Sequence, residues 1–355
     1  MTFFIANRAY PKPDVSKLKG PVLVTGTGGF IGFHTAKTLL DLGMEVVGLD
    51  NVNSYYDPSL KESRLAILKE YKGFREARID LADKAAMEKL FSAQRFSHII
   101  HLAAQAGVRY SLTHPHPYIE SNITGFLNLL ECARYQGSLG HMVYASSSSV
   151  YGMNKKMPFS EDDPVNLPMS LYAVTKRSNE LMAQSYYHLF KMPLTGLRFF
   201  TVYGPWGRPD MAAFKFVKAI QEGTPIDVYN YGNMARDYTF VGDTVRGILG
   251  AVCRTPDMGL DAHKVYNLGN NKLETLSYFI EVLEKHLGIQ AIQNKMPIQP
   301  GDVPETAADI THASHDFGYS PTTSIDEGLG YFVAWYKDYY ATPLRRLLRV
   351  NSSPQ

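Results

Sequence analysis

The chain has 355 residues, of which 45% are apolar, 12% aromatic and 20% charged, the composition of a folded globular protein with a large core; fibrous and disordered classes are excluded. Its 36 basic and 34 acidic side chains leave a net charge of +2, too little to gather nucleic acid or an acidic membrane surface, so a small anionic ligand needs a local basic site.

Residues 1–20, with Pro11 and Pro13, read as an irregular lead-in whose MTFFIA start is too short for a signal-peptide core or a bilayer span. The two cysteines, Cys132 and Cys253, sit singly in apolar stretches, so neither a disulfide framework nor a cysteine metal site is expected, and the reducing cytoplasm is the expected location. From residue 21, short β-branched runs alternate with longer amphipathic stretches. That pattern predicts an α/β fold, a Rossmann-type doubly wound parallel sheet with a smaller α/β substrate-binding lobe. Strands are expected at about 21–25, 45–50, 74–80, 97–103, 141–146 and 194–200, with crossover helices such as 31–42, 83–93, 117–135 and 171–190.

The first strand runs into Gly26-Thr27-Gly28-Gly29-Phe30-Ile31-Gly32 and then a helix, a junction whose amides and dipole suit a pyrophosphate. Gly26 permits the tight turn, Gly29 the approach of phosphate to backbone, and Gly32 close helix–strand packing. Asp50 ends the second strand, where a carboxylate accepts from ribose hydroxyls; its charge repels a 2′-phosphate and Asn51 offers no guanidinium, so NAD is expected over NADP. Asp80-Leu81 at the end of the third strand is placed to meet the adenine edge, and His101 reads as a satisfied, partly buried imidazole.

Past the fifth strand lies a serine run, Ser146 to Ser149, and three Tyr-x-x-x-Lys pairs follow: Tyr151/Lys155, Tyr172/Lys176 and Tyr187/Lys191. On a helix this spacing puts phenol and ammonium on one face, where the cation favours phenolate. Context separates the pairs. Tyr151 leads into a loop, Tyr187 lies near the far end of its helix, and Tyr172 opens the helix after Ser147, near the strand ends where such sheets bind ligands. Tyr172, Lys176 and Ser147 are therefore the expected catalytic set. After Phe200 the Pro/Gly-rich VYGPWGRPDM introduces a second lobe, and Val265–Leu268 reads as a strand able to return to the first sheet. The expected division is an NAD-binding domain at 21–200, joined by 236–269, and a lobe from 201–235 and 270–345. His114/His116 and His312/His315 lack accompanying cysteine or paired carboxylates, so no metal is expected.

TGTGGFIG, SSSSVYG and YAVTK resemble the extended short-chain dehydrogenase/reductase family; DNVNSYYDPSLKESRL, HLAAQAGVRYSL, GLRFFTVYGPWGRPDM, VYNYGNMARDYTF and QPGDV are similar to its nucleotide-sugar branch, within it to the UDP-glucuronate 4-epimerase family. The likeness spans about residues 20–340; Thr27 in the turn and Gly242 before Asp243 are small departures. It implies inversion of carbon 4 of UDP-glucuronate to UDP-galacturonate through a transient 4-keto sugar: Tyr172 takes the 4-hydroxyl proton, Ser147 bonds that oxygen, and NAD removes and returns hydride. It further implies that Phe30, Ile31, Leu81, Leu102, Ala103, Ala104 and Asn122 line the cofactor site. Relatives pair subunits through helices equivalent to 117–135 and 171–190, so a homodimer is expected, with Phe126, Leu127, Leu129, Leu130, Leu181, Met182 and Tyr186 supplying apolar faces.

Because oxidation at carbon 4 of a uronate makes a β-keto acid, its carboxylate must be held; Arg208 and Thr201 are the candidate clamp. By the same resemblance Arg236 meets the diphosphate, Asp302 the uridine ribose, Tyr229 flanks the uracil, and Ser148 borders the sugar. Family dehydratases carry Asp-Glu where this chain has Ser148-Ser149, and its decarboxylases carry Glu at the second position. A UDP-glucuronate decarboxylase, a 4-epimerase of neutral UDP-hexoses and a non-catalytic NAD-sensing protein are the alternatives.

Overall fold

A computed structural model describes residues 14–256, 263–299 and 303–341. Strands β1 (Val22–Thr25), β2 (Val46–Leu49), β3 (Phe74–Ala77), β4 (His98–His101), β5 (His141–Ser147) and β6 (Leu194–Phe199) match the six expected strands in order. Helices α1 (Phe30–Asp41), α2 (Pro58–Lys69) and α3 (Lys84–Ala93) cross between the first four; two short helices, α4 (Tyr110–Thr113) and α5 (His116–Tyr118), lead into α6 (Gly125–Tyr135), and α7 (Leu171–Phe190) precedes β6. The third and fourth strands end three and two residues earlier than expected, and residues 79–80 and 102–103 beyond them line the cleft.

The remaining elements are β7 (Thr201–Tyr203), α8 (Ala212–Glu222), β8 (Ile226–Val228), β9 (Ala235–Phe240), α9 (Val241–Val252), β10 (His263–Leu268), β11 (Leu273–Thr275), α10 (Leu276–Leu287), β12 (Gln293–Lys295), β13 (Glu305–Thr306), α11 (Thr311–Phe317) and α12 (Ile325–Ala341). Seven strands form one parallel sheet in the order β10-β6-β5-β4-β1-β2-β3, with β10 paired to β6. β9 lies instead in a smaller sheet with β7, β11 and β13.

Burial on both faces explains the near-continuous apolar strands. Val22 and Val24 of β1 pack into one core with Phe33 and Val143, while Leu23 between them faces the other with Ile99, Phe126 and Leu130. Helix starts follow local chemistry: the Asp57, Asp83 and Ser170 side chains accept amides of α2, α3 and α7. Strand order reverses between β1 and β4, and the crevice at the carboxyl ends of these two strands is where the site lies.

Candidate active site

The glycine turn leaves no room for side chains. Gly26 has φ +80°, and a Cβ there would lie 2.8 Å from the Ala103 nitrogen; at Gly29 it would lie 2.9 Å, and at Gly32 2.0 Å, from the Gly26 carbonyl oxygen. Gly29 is the N-cap of α1 and supplies no side-chain cap, so the first amides of the helix face the cleft uncapped. Asp50 fixes the turn from the next strand: its Oδ2 accepts from the Gly28 amide at 2.9 Å and its Oδ1 from the Val52 amide at 2.8 Å. Asn51 donates to Asp80 at 2.8 Å, joining the ends of β2 and β3. Gly26, Gly29, Phe30, Ile31, Gly32, Asp50, Asn51, Asp80 and Leu81 line one cavity.

The loop after β4 forms its floor. Thr25 Oγ1 accepts from the amides of Leu102 and Ala103, and these two with Ala104 line the cavity. Asn122 was expected on this wall but stands behind it: its Oδ1 accepts from the Gln105 amide, and its Nδ2 donates to the Gln105 carbonyl and to Thr175. The reason is a π-turn at Ile119–Thr124, which rotates Asn122 toward α7. His101 is buried, shares a 2.8 Å hydrogen bond with Thr25 and stacks on Phe126; burial lowers its pKa to about 3, so it is neutral.

Of the three Tyr-x-x-x-Lys pairs, Tyr172/Lys176 is the one on the cavity, together with Ser147. Tyr151 is buried elsewhere, donating to Asn267 and accepting from Arg198, and Lys191 is the left-handed cap that ends α7. Lys176 is fully buried and donates to the Ala145 carbonyl at 2.8 Å; burial lowers its pKa to about 8 against the pull of Glu180. Burial raises the Tyr172 phenol, opposed by the Ser147 hydroxyl and by Arg208. Arg208, contributed by the loop after β7, is thus a second cation facing the phenol, in addition to the Lys176 that the sequence spacing places on the same cavity.

Arg208 borders both this cavity and a smaller one that Thr201 lines. Its guanidinium is paired with Asp210, a contact absent from the sequence reading; the pair holds Asp210 below the usual carboxylate range despite burial. Ser148 opens the 3₁₀ turn after β5 and is not on the cavity lining. Tyr229 and Arg236 also lie off that lining: Arg109 stands over the Tyr229 ring at 4.8 Å, and Arg236 donates to the Ala235 and Pro304 carbonyls. Asp302 lies outside the described residues. Among the described residues no cluster of three or more His, Cys, Asp or Glu side chains is placed to hold a metal, and no helix is long and apolar enough to cross a membrane.

Two cations escaped the sequence reading. Lys61 lines the cavity and donates to the carbonyl and side-chain oxygens of Asn53. Arg64, fully buried, donates to the carbonyls of Gly28 and Trp206, tying the glycine turn to the GPWGR loop. Both occupy the inward face of α2 beside Leu60, Leu65 and Leu68. Charged residues on a face that otherwise reads apolar were the available signal.

The geometry defines a dinucleotide-cradling Rossmann protein with a Tyr–Lys pair at the cleft. A family model described as GDP-mannose 4,6 dehydratase matches residues 23–331, and the chain belongs to that family. It is 47% identical over 332 residues to UDP-glucuronate 4-epimerase 1 of Arabidopsis thaliana, spanning 90% of this chain and 77% of that one. It is 50% identical over 333 residues to protein CapI of Staphylococcus aureus, spanning 90% and 99%. The crystal structure of UDP-glucuronic acid 4-epimerase from Bacillus cereus in complex with UDP-glucuronic acid and NAD superposes with a TM-score of 0.84 at 35% identity, covering 90% of this chain and all of that one.

Proposed function

We propose that this protein is an NAD-dependent isomerase, a UDP-glucuronate 4-epimerase that inverts carbon 4 of UDP-glucuronate to give UDP-galacturonate. The single observation that carries this reading is that the glycine cradle, Asp50, Ser147, Tyr172, Lys176 and Arg208 meet on one cavity. The cradle fits NAD: a Cβ at Gly29 or Gly32 would strike the Gly26 carbonyl oxygen, the α1 amides are uncapped, and Asp50 offers carboxylate oxygens to a ribose. NAD held there supplies the two-electron acceptor that takes hydrogen from carbon 4 and gives it back to the other face of the 4-keto sugar.

The protein's part is proton transfer and restraint. Tyr172 takes the 4-hydroxyl proton and returns it after the ring has turned over; Ser147 holds the oxygen between transfers. Lys176 keeps a positive charge under the cleft floor, where its bond to the Ala145 carbonyl fixes it. Arg208, helped by Thr201, holds the carbon-6 carboxylate of the β-keto acid. For the UDP half the family resemblance supports Arg236 for the diphosphate, Tyr229 for the uracil and Asp302 for the ribose, although the first two lie off the shared cavity. The serines at 148 and 149 provide no carboxylic acid for elimination of water or for loss of carbon dioxide. We further infer that two copies pair through α6 and α7, which expose Leu127 and Leu181.

Incubation with UDP-glucuronate is expected to yield UDP-galacturonate with no released carbon dioxide; a UDP-pentose product would reassign the protein to the decarboxylases. Tyr172→Phe, checked for unchanged NAD content, is expected to lower kcat by roughly 10²–10⁴-fold, as loss of a general base does.

A further inference from the structure

A guanidinium has two edges that match a carboxylate: the side edge of Nε and Nη2, and the end edge of Nη1 and the second N–H of Nη2. In Arg208 the side edge is filled. Its Nε donates to Asp210 Oδ1 at 3.0 Å and its Nη2 to Asp210 Oδ2 at 2.7 Å. The end edge has no protein partner among the described residues, while Arg208 lines the cavity with Ser147 and Tyr172. Asp210 is gripped in turn from the loop after β2: the Tyr55 hydroxyl donates to Oδ2 at 3.2 Å, and the Tyr55 ring packs on Tyr110 at 4.8 Å. Both members of the pair are only partly exposed, at 23% and 29%, so the side edge is not exchanging freely with water.

We propose that Asp210 is a positioning residue for Arg208: by occupying the side edge it turns the end edge toward the carbon-6 carboxylate of the sugar and thereby keeps the 4-keto acid from losing carbon dioxide. This rests on the reading of Arg208 as the ligand of that carboxylate. In the side reaction the bond from carbon 5 to carbon 6 breaks, carbon dioxide leaves, and the bonding pair enters the carbon-4 carbonyl as an enolate that takes a proton at carbon 5. That step needs the breaking bond aligned with the carbonyl π system, and a carboxylate held in one orientation resists the alignment. An Arg208 released from Asp210 still attracts the carboxylate but no longer fixes its plane.

The test measures carbon dioxide released per UDP-galacturonate formed from UDP-glucuronate, with kcat and KM. Asp210→Ala is expected to raise that ratio at least about tenfold and to lower kcat by a similar factor, while KM changes little because the free guanidinium still binds the anion. Asp210→Glu, which keeps the charge, should move the ratio back toward the starting value. Asp210→Asn, which keeps the shape and one acceptor, covers the case in which the alanine variant does not fold and should give a smaller rise. An unchanged ratio in folded Asp210 variants, whatever their kcat, overturns the proposal. Arg208→Ala separates the two failures. If that variant loses no preference for UDP-glucuronate over UDP-glucose, the reading of Arg208 falls; if it loses the preference while Asp210 variants keep the original ratio, only the role of Asp210 falls.

Discussion

Lys61 is a buried cation whose bonds go only to the two oxygens of Asn53, and it forms no ion pair among the described residues. Burial lowers its pKa to about 8 while the charge of Asp50 opposes that fall. An ammonium without a direct ion-pair partner, set over the Tyr56 ring at 4.7 Å on the wall of a cavity proposed to hold a dinucleotide, is a ready counter-charge for a pyrophosphate. Lys61→Met is therefore expected to weaken binding of ADP by roughly 10–100-fold, the worth of one charge-assisted hydrogen bond, and to leave adenosine binding nearly unchanged. Calorimetry with both ligands checks this, and equal losses would place the lysine at the ribose. The sequence displayed the glycine turn and Asp50 plainly because their spacing is local. Lys61 and the Arg208–Asp210 pair were hidden because their meaning depends on which face of α2, and which edge of a guanidinium, the tertiary structure turns inward.

Elements show the same division. Alternating strand and helix periods placed β1 to β6 and α7 closely, and the choice among three Tyr-x-x-x-Lys pairs followed from where each tyrosine falls relative to its loop or helix and to Ser147 at the strand ends. Periodicity was blind to the π-turn at Ile119–Thr124, which puts Asn122 behind the cofactor wall. It also overcounted the apolar faces: Phe126, Leu129 and Leu130 are buried in this chain's own core, and Met182 and Tyr186 pack partly against it. Outward on these helices are Leu127 at 40%, Val174 at 41% and Leu181 at 55% exposure, with Tyr135, Leu189 and Phe190 exposed at their carboxyl ends. Such side chains gain by packing against a second copy. Leu181→Glu is expected to shift the sedimentation coefficient from dimer to monomer, with Tyr172 and Lys176 left in place on the same helix; a monomeric parent protein would refute the pairing.

At the scale of the whole molecule, histidines kept neutral by burial set the response to acid: His34, His101 and His141 are buried, His263 is half-buried, and burial also lowers the pKa of His98. His34, His101, His141 and His263 bridge separate elements through Pro205, Thr25, Val252 with Thr195, and Tyr144 with Gln184. Burial lowers their pKa values to about 3, 3, 4 and 4 from 6.5. Between those values and 6.5 the unfolded chain binds more protons than the folded one, so stability is present above pH 6.5 and is lost as pH falls. Each imidazole accounts for about 2 kcal/mol between pH 7 and 5. Asp237 acts oppositely: burial raises its pKa to about 6, so it favours the folded state as pH falls through that value, and Glu161, raised by burial, and His312, raised by its bond to Asp162, act in the same direction but with smaller shifts. The melting temperature is expected to drop steeply from pH 7 to 5, and His141→Gln, at the end of β5 opposite the cleft, should flatten the slope measurably, by about 2 kcal/mol in stability over that range. A slope unchanged by that substitution would move the acid sensitivity from the histidines to the paired carboxylates, whose loss begins at lower pH.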